Sequence, residues 1–291
     1  MINVLNCPSG CLFLPLRDPT VKDKFTTSKI GSFMGAFIRF LLFLSICSLI
    51  IPFRVCAQGT ANEALEKMPA NLETDFALSS LPPHLRAGAT VYLLDPTKGF
   101  YIARPGTNGF ICFVSRMEWE WADFRNDLAT PVSYDAEGAR TIFPVYLDMA
   151  AMRASGKFTA RQVRDSVIDR IKRGVYKAPA RTGISYMLAP LMRSYTGMPG
   201  QNEIKTISVP HYMFYAPYMT DADIGGMPPG PFMGNTTDEI LGERKGPHGY
   251  IILTAGQAEK AKILEENKDL LRRLADYKPY FTIEPGMKHH S

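Results

Sequence analysis

The sequence predicts an α+β fold in which a helical pair and a C-terminal amphipathic helix pack on a largely antiparallel sheet. Three short runs rich in β-branched and aromatic residues open the globular part of the chain and are separated by turn residues. Two segments with helical spacing follow, and further β-runs come after them. Because strands and helices do not alternate regularly, this order favours α+β over a doubly wound parallel sheet.

The first three β-runs are joined by segments rich in Gly, Pro and Asn, and they cover residues 89–95, 100–103 and 110–115. Short strands joined by such turns predict an antiparallel meander. In the third run alternate residues face opposite sides of the strand, with Phe110, Cys112 and Val114 on one side and Ile111 and Phe113 on the other. Since both sides are apolar, we expect both to be covered.

A helical pair is predicted at residues 144–153 and 159–173, and Gly156 and Gly174 follow the two helices. Thr159 is the expected N-cap of the second helix. Val163 and Val167 recur there at helical spacing opposite basic residues. One face of this helix should therefore be buried and the other solvated.

The later part of the chain adds β-runs at residues 184–188, 208–215 and 250–254, with a loop-rich stretch at 221–242. Residues 257–277 are predicted as one charged amphipathic helix, with leucines along one side. Residues 117–130, which carry Trp119 and Trp121 among several acidic residues, are interpreted as a loop or short helix.

The N-terminal region has the three parts of a secretory signal peptide at residues 34–57. Arg39 precedes an apolar run at residues 40–53, and Val55 and Ala57 are small residues at the −3 and −1 positions of a cleavage site after Ala57. A retained membrane anchor at residues 33–53 is the alternative, because that stretch nears the length of a spanning helix. Arg39 interrupts this stretch, so we favour cleavage.

These patterns predict five regions along the chain. Residues 1–33 are interpreted as a start-site over-extension or a disordered segment, and 34–57 as the signal peptide. Residues 58–80 are expected to form a linker or a short peripheral helix. Residues 81–256 are expected to form a single globular α+β domain, and residues 257–291 a C-terminal helix and tail.

Charge and cysteine content indicate the class of partner and the source of stability. The chain has 33 basic and 28 acidic residues and a formal charge of +5. Removal of residues 1–57 leaves 27 basic and 26 acidic residues, a balance that gives no support to a nucleic-acid partner. Of the five cysteines only Cys112 remains after this cleavage, so we expect no internal disulfide.

Two Pro-His dipeptides beside β-runs provide the candidate metal site. They carry His211 and His248, and Asp221 and Asp223 lie on a nearby loop. Two imidazoles with a carboxylate would suit a zinc or transition-metal ion that activates water, which makes a metal-assisted hydrolase the alternative function. The competing interpretation is a structural pair of histidines hydrogen-bonded to the backbone.

The aromatic segment around His211 favours a non-catalytic binding function as the first hypothesis. Its candidate ligand-binding residues are His211, Tyr215, Tyr218 and His248, and a core or an interface would use the same aromatic residues. The expected ligand is a small molecule or an envelope component. With the leader removed we expect no membrane span, and the sequence does not indicate an oligomeric state.

Three further residue patterns have simpler structural interpretations. Cys112 is a candidate nucleophile, but its position within an apolar strand predicts a buried, inert thiol. Residues 106–109 resemble a phosphate-binding loop without the lysine and helix that such a loop needs, so a hairpin turn is expected. Asp135 and Glu137 are candidate paired carboxylates on what we interpret as a solvated turn.

Four segments carry a resemblance to a known family, and they are Gly106-Thr-Asn-Gly-Phe110, Tyr134-Asp-Ala-Glu-Gly138, Pro210-His-Tyr-Met-Phe-Tyr-Ala-Pro217 and Pro247-His-Gly-Tyr-Ile-Ile252. By these segments residues 81–253 resemble a family of uncharacterised secreted bacterial proteins. That family has no assigned activity. The resemblance therefore implies export from a bacterium, to the periplasm or the extracellular space, and implies no catalytic residue.

Overall fold

An eight-stranded sheet forms the centre of the fold in the computed structural model, which describes residues 64–196, 203–227, 230–234 and 246–283. The strands in these ranges are β1 (Thr90–Asp95), β2 (Gly99–Arg104), β3 (Ile111–Ser115), β4 (Thr130–Tyr134), β5 (Ile184–Met187), β6 (Met192–Tyr195), β7 (Ile204–Ile207), β8 (His211–Tyr215), β9 (Phe232–Gly234) and β10 (Tyr250–Thr254). The large sheet has the order β2-β1-β3-β4-β5-β8-β10-β9, and β6 pairs with β7 in a small second sheet. All the pairs are antiparallel except β1 with β3.

The α-helices in the described ranges are α1 (Ala70–Ser79), α2 (Pro83–Arg86), α3 (Ala136–Thr141), α4 (Phe143–Ala154), α5 (Ala160–Lys172), α6 (Asp221–Ile224), α7 (Gln257–Glu266) and α8 (Lys268–Tyr277). Short 3-10 helices cover Trp119–Trp121 and Pro279–Phe281. This mixture of helices with a mostly antiparallel sheet confirms the predicted α+β class.

The predicted meander of the first three strands is wrong, because β3 pairs in parallel with β1 and not with β2. After β2 the chain passes the start of β1, where the amides of Thr107 and Asn108 donate to the Gly88 carbonyl oxygen at 2.7 and 3.1 Å. A Cβ on Gly106 would lie 2.3 Å from the Ala89 carbonyl carbon, so this close approach requires glycine. Residues 106–109 therefore form a crossing connection and not the predicted hairpin turn.

The third strand separates two apolar cores, as its alternation predicts. All the residues of β3 are buried. Cys112 and Val114 pack in a core with α1 and α8, whereas Ile111 and Phe113 pack with Phe143 in a core on the opposite side of the sheet. The prediction that both faces are covered is thus confirmed.

Helix α1 belongs to the first core, so the prediction of a linker or peripheral helix is wrong for its residues. Leu72, Phe76 and Ala77 of α1 are buried, and Phe76 contacts the ring of Phe281 edge-on with 6.0 Å between ring centroids. The apolar side chains recur at helical spacing among polar ones, and tertiary packing buries them. Residues on both sides of Leu81 therefore contribute to one core.

The predicted helical pair is confirmed as α4 and α5. Thr159 caps α5 through a capping box, because its hydroxyl accepts from the Gln162 amide and the Gln162 side chain accepts from the Thr159 amide. Val163 and Val167 are fully buried against residues of α4. Helix α4 packs on β2, and α5 packs on α4 and on the 3-10 helix at Trp119–Trp121.

The C-terminal amphipathic segment is two helices where one was predicted. The break is at Asn267, a buried residue whose side-chain amide donates to the Ile263 carbonyl oxygen at 2.8 Å. Leu270 and Leu274 of α8 are buried in the first core. The apolar side of α8 is thus covered by the rest of the fold.

The predicted signal peptide, residues 34–57, and the segment before it lie outside the described residues. Within the described ranges, no helix combines the length and the apolar character that crossing a membrane requires.

Candidate functional site

A cleft of about 480 Å³ lies over the face of the sheet formed by β8, β9 and β10. Side chains from alternate positions of these strands form its floor, and they are His211, Met213, Tyr250, Ile252, Thr254 and Phe232. The registers place these residues on one face, since Met213 pairs with Ile252 and His211 with Thr254. A second depression beside Arg116 encloses about 20 Å³, room for about one water molecule.

Three other parts of the fold form the walls of the cleft. The segment before and within the first 3-10 helix contributes Glu118, Trp119 and Glu120. Strand β6 contributes Tyr195, and α4 contributes Tyr146. The cleft therefore combines an apolar floor with carboxyl, hydroxyl and imidazole groups, a composition typical of small-molecule sites.

His211 is a buried residue at the start of β8. Its Nδ1 lies 2.7 Å from the Val209 carbonyl oxygen, and burial lowers the pKa of the imidazole. The ring is therefore neutral near pH 7, and since Nδ1 carries the proton, Nε2 is an acceptor.

His248 follows a similar pattern on the loop before β10. Its Nε2 lies 3.1 Å from the Lys177 carbonyl oxygen, and burial lowers its pKa, while hydrogen bonds that the ring donates to the backbone of Lys177 and Thr141 oppose this shift. Both predicted histidines line the cleft. Each is also held by backbone carbonyl groups, as the structural interpretation expects.

The two aspartates of the predicted metal set do not join the histidines. Asp221 Oδ1 accepts from the Met233 amide at 2.7 Å, and Asp223 Oδ2 accepts from the Thr220 amide at 2.8 Å within the cap of α6. In the part of the chain that the structure describes, no three His, Cys, Asp or Glu side chains lie together as a metal site would require. The ligand set that motivated a metal-assisted hydrolase is thus not assembled.

The two tyrosines of the predicted ligand-binding set are not among the residues that line the cleft. Tyr215 is buried in the core that includes Phe113 and Phe143, and its hydroxyl lies 2.9 Å from Asp135 Oδ1. Tyr218 is 53% exposed and has a φ of 63°. Neither side chain lines the cleft, although Tyr215 borders it, since its ring lies 6.2 Å from that of the floor residue Tyr250.

Glu118 is the functional candidate that the sequence did not identify. Burial, followed by repulsion from Glu120 and Asp123, raises its pKa from 4.5 to about 8, although hydrogen bonds from the Tyr195 backbone and the Trp121 side chain oppose the shift. A carboxyl group perturbed in this way within a cleft is typical of a functional site. The sequence signal was an acidic residue on each side of Trp119, a pattern that a solvated loop would also contain.

Three tyrosine hydroxyls form a chain at the side of the cleft. Tyr134 donates to Tyr146 at 3.3 Å, and the Tyr250 hydroxyl lies 3.2 Å from that of Tyr134. Each hydroxyl has one proton, so Tyr250 donates to Tyr134 and the proton of Tyr146 is left for another acceptor. Tyr146 lines the cleft and can offer this proton to a bound molecule.

The remaining candidates have structural positions. Asp135 is the N-cap of α3, where its Oδ1 accepts from the Gly138 amide at 2.9 Å, so this segment is a helix start and not the predicted solvated turn. Glu137 is buried and accepts from Arg140 at 2.7 Å. Cys112 is fully buried, and burial raises its pKa to about 12, which makes it the inert thiol that the sequence predicted.

Comparison of the chain with protein-family models, with curated proteins and with solved structures finds no match. The functional argument therefore depends on the cleft and on the residues that line it.

Proposed function

We propose that this chain is an exported protein that binds a small organic molecule in the cleft over β8, β9 and β10. The observation that carries the proposal is the cleft itself, which has a volume of about 480 Å³. Ligand sites in proteins typically enclose about 300–1,000 Å³ and combine apolar walls with a few convergent polar groups. The cleft has both properties.

The polar groups of the cleft suit a ligand that makes several directed hydrogen bonds. His211 offers an acceptor at Nε2 and Tyr146 offers a hydroxyl proton, while Glu118 offers a carboxyl group. Met213 and Ile252 provide apolar surface between them. A ligand with an apolar body and polar ends would satisfy both kinds of contact.

Intrinsic tryptophan fluorescence can report ligand binding in the cleft. Of its two tryptophans, Trp119 lines the cleft and Trp121 stacks on the cleft residue Tyr195 with 4.2 Å between ring centroids. A ligand in the cleft should therefore change the intrinsic fluorescence. Titration with a panel of phenyl-substituted alcohols, amines and carboxylates tests this expectation.

A matched pair of variants on β10 locates the binding. Thr254 faces the cleft, whereas its neighbour Leu253 is 41% exposed on the opposite face of the strand. Thr254→Phe should abolish the fluorescence response, and Leu253→Phe should leave it unchanged. Equal responses in the two variants, or no response in the unmodified protein to any panel member, would contradict a ligand site here.

The proposed export is supported by the signal-peptide pattern at residues 34–57. Cleavage after Ala57 would leave a chain that begins at Gln58 and contains Cys112 as its single cysteine. N-terminal sequencing of the protein from fractionated cells should find Gln58 first, outside the cytosol. An intact Met1 in the cytosolic fraction would contradict export.

A further inference from the structure

The charged groups around the cleft are acidic. Glu118 and Glu120 line it, and of the described residues that line it none is a lysine or an arginine. The nearby cations Arg125 and Arg193 both bind Asp127, at 2.7 and 3.0 Å. A ligand in the cleft therefore meets carboxyl groups and no described side chain of fixed positive charge.

The negative potential extends beyond the two glutamates. Asp123 is 8% exposed, and one of its carboxyl oxygens accepts from the Tyr195 hydroxyl. Within the described residues the other oxygen, Oδ1, has no hydrogen-bond partner. A buried carboxylate that is partly satisfied favours a positive charge nearby, and Arg125 supplies part of that charge, since its guanidinium interacts with Asp123 as well as with Asp127.

The pKa values of the cleft tyrosines reflect the same potential. Burial raises the pKa of Tyr146 to about 12, and the charges of Glu120 and Glu118 add to this shift. Burial also raises the pKa of Tyr250, with a contribution from Glu120. Tyr146 thus lies within electrostatic range of both glutamates, and Tyr250 within range of Glu120.

Aromatic rings surround the same space. The rings that line it are Trp119, Tyr146, Tyr195, Tyr250 and Phe232. The face of an aromatic ring attracts a cation, and several rings around one space form the kind of site that binds quaternary ammonium groups. Carboxyl groups and ring faces thus favour the same sign of charge.

From this combination we propose that the cleft selects a small organic cation, an amine or quaternary ammonium group attached to an apolar body. The inference rests on the proposed function and names its ligand class. The ammonium group binds beside Glu118 against the rings of Trp119 and Tyr195. The apolar body lies on Met213 and Ile252 at the floor.

The test uses three probes that share a phenyl group and differ in charge. They are benzyltrimethylammonium, 3-phenyl-1-propanol and 3-phenylpropionate, and their affinities at pH 8.5 are measured by tryptophan fluorescence and by calorimetry. We expect the cation to bind at least tenfold more tightly than the alcohol, and the carboxylate to bind most weakly.

Two charge variants connect the preference to the cleft. Glu118→Gln should weaken binding of the cation at least tenfold and leave binding of the alcohol within twofold, which also shows that the variant is folded. Glu266→Gln removes a carboxylate from the exposed surface of α7 and should leave both affinities unchanged. A cation preference that survives Glu118→Gln would overturn the proposal.

Failure of this inference is distinguishable from failure of the proposed function. If the alcohol or the carboxylate binds as tightly as the cation and Thr254→Phe abolishes that binding, the cleft is a ligand site without cation selectivity. If none of the three probes and no panel member binds, both proposals are overturned.

Discussion

The hydroxyl of Tyr215 donates to the carboxylate of Asp135, with 2.9 Å between the hydroxyl oxygen and Oδ1. Asp135 is also the N-cap of α3, and its Oδ2 accepts from the Ile184 amide at 3.1 Å. One carboxylate thus joins β8, α3 and β5. The interaction explains why a tyrosine in the most aromatic segment of the sequence is a structural residue.

We expect Tyr215→Phe to destabilise the protein without changing its affinity for a ligand. Loss of a buried hydrogen bond to a charged group costs about 1–3 kcal/mol in free energy of unfolding, measurable by urea denaturation. Tyr218→Phe, at an exposed position, is the control and should change stability by less than about 0.5 kcal/mol. A loss of ligand affinity in Tyr215→Phe that exceeds twofold would contradict the structural assignment.

Glu73 should make stability fall as pH rises. It is 2% exposed and accepts from the Leu94 amide at 3.0 Å, and burial raises its pKa from 4.5 to about 7. Because the folded state holds this proton more tightly than the unfolded state, the stabilisation is present in full below pH 4.5 and is lost as pH rises through 7. This shift in the pKa of Glu73 corresponds to roughly 3 kcal/mol in free energy of unfolding.

Urea denaturation of Glu73→Gln at pH 5 and pH 8 tests this linkage. The free energy of unfolding is measured for the variant and for the unmodified protein at each pH. The value for the variant minus the value for the unmodified protein should increase by roughly 2–3 kcal/mol from pH 5 to pH 8. The difference is used because His211 and His248, whose pKa values burial lowers, contribute a pH dependence of opposite sign. Asp75→Asn, at an exposed position on the same helix, should show no such change, and a pH-independent effect of Glu73→Gln would contradict the account.

Affinity for benzyltrimethylammonium should rise with pH. The cation favours the ionised form of Glu118, whose pKa is raised to about 8 by burial and by Glu120 and Asp123. Between pH 6.5 and pH 9 the ionised fraction increases, so we expect roughly a tenfold gain or more in affinity, since the charge of the probe does not change. Tyr146 and Tyr195 face the same group and stay protonated in this range, because burial raises their pKa values.

The histidines of the cleft determine the lowest pH at which the affinity for the probe is measured. Burial lowers the pKa values of His211 and His248, so both rings are mostly neutral at pH 6.5 and repel the probe even less as the pH rises. Calorimetric titrations over the pH series give the affinities. Glu118→Gln should show a flat profile, and a flat profile in the unmodified protein would contradict the role of Glu118.

Cys112 should resist thiol reagents in the folded protein. Burial raises its pKa to about 12, so its thiolate is scarce at pH 8 and is enclosed by the first core. The chain that begins at Gln58 should show no addition of iodoacetamide by mass spectrometry under native conditions and complete addition in urea. Rapid modification of the native protein would show that this core opens.

Local patterns predicted the elements whose signals lie close together in the sequence. Thr159 and the spacing of Val163 and Val167 were sufficient to place α5, because a cap and an amphipathic period are properties of one segment. The pairing of β1 with β3 was not predictable in this way, since it depends on a crossing connection held by Gly88 and Gly106. The alternation of β3 was informative because it is independent of which neighbours the strand has.

The cleft combines residues that no sequence motif connects. His211 and His248 were identified because each follows a proline beside a β-run, and the structure places both at the cleft. Glu118 was missed because its raised pKa comes from burial and from two neighbouring carboxylates. Such an effect arises only when the 3-10 helix, β6 and α4 meet over the sheet.

A crystal structure of the protein with benzyltrimethylammonium is the most direct test of the proposed ligand site. The account predicts that the ammonium group lies beside the Glu118 carboxyl group, with the rings of Trp119 and Tyr195 around it and the phenyl group on Met213. A probe bound only on the outer surface of the protein, with the cleft filled by rearranged side chains, would contradict it.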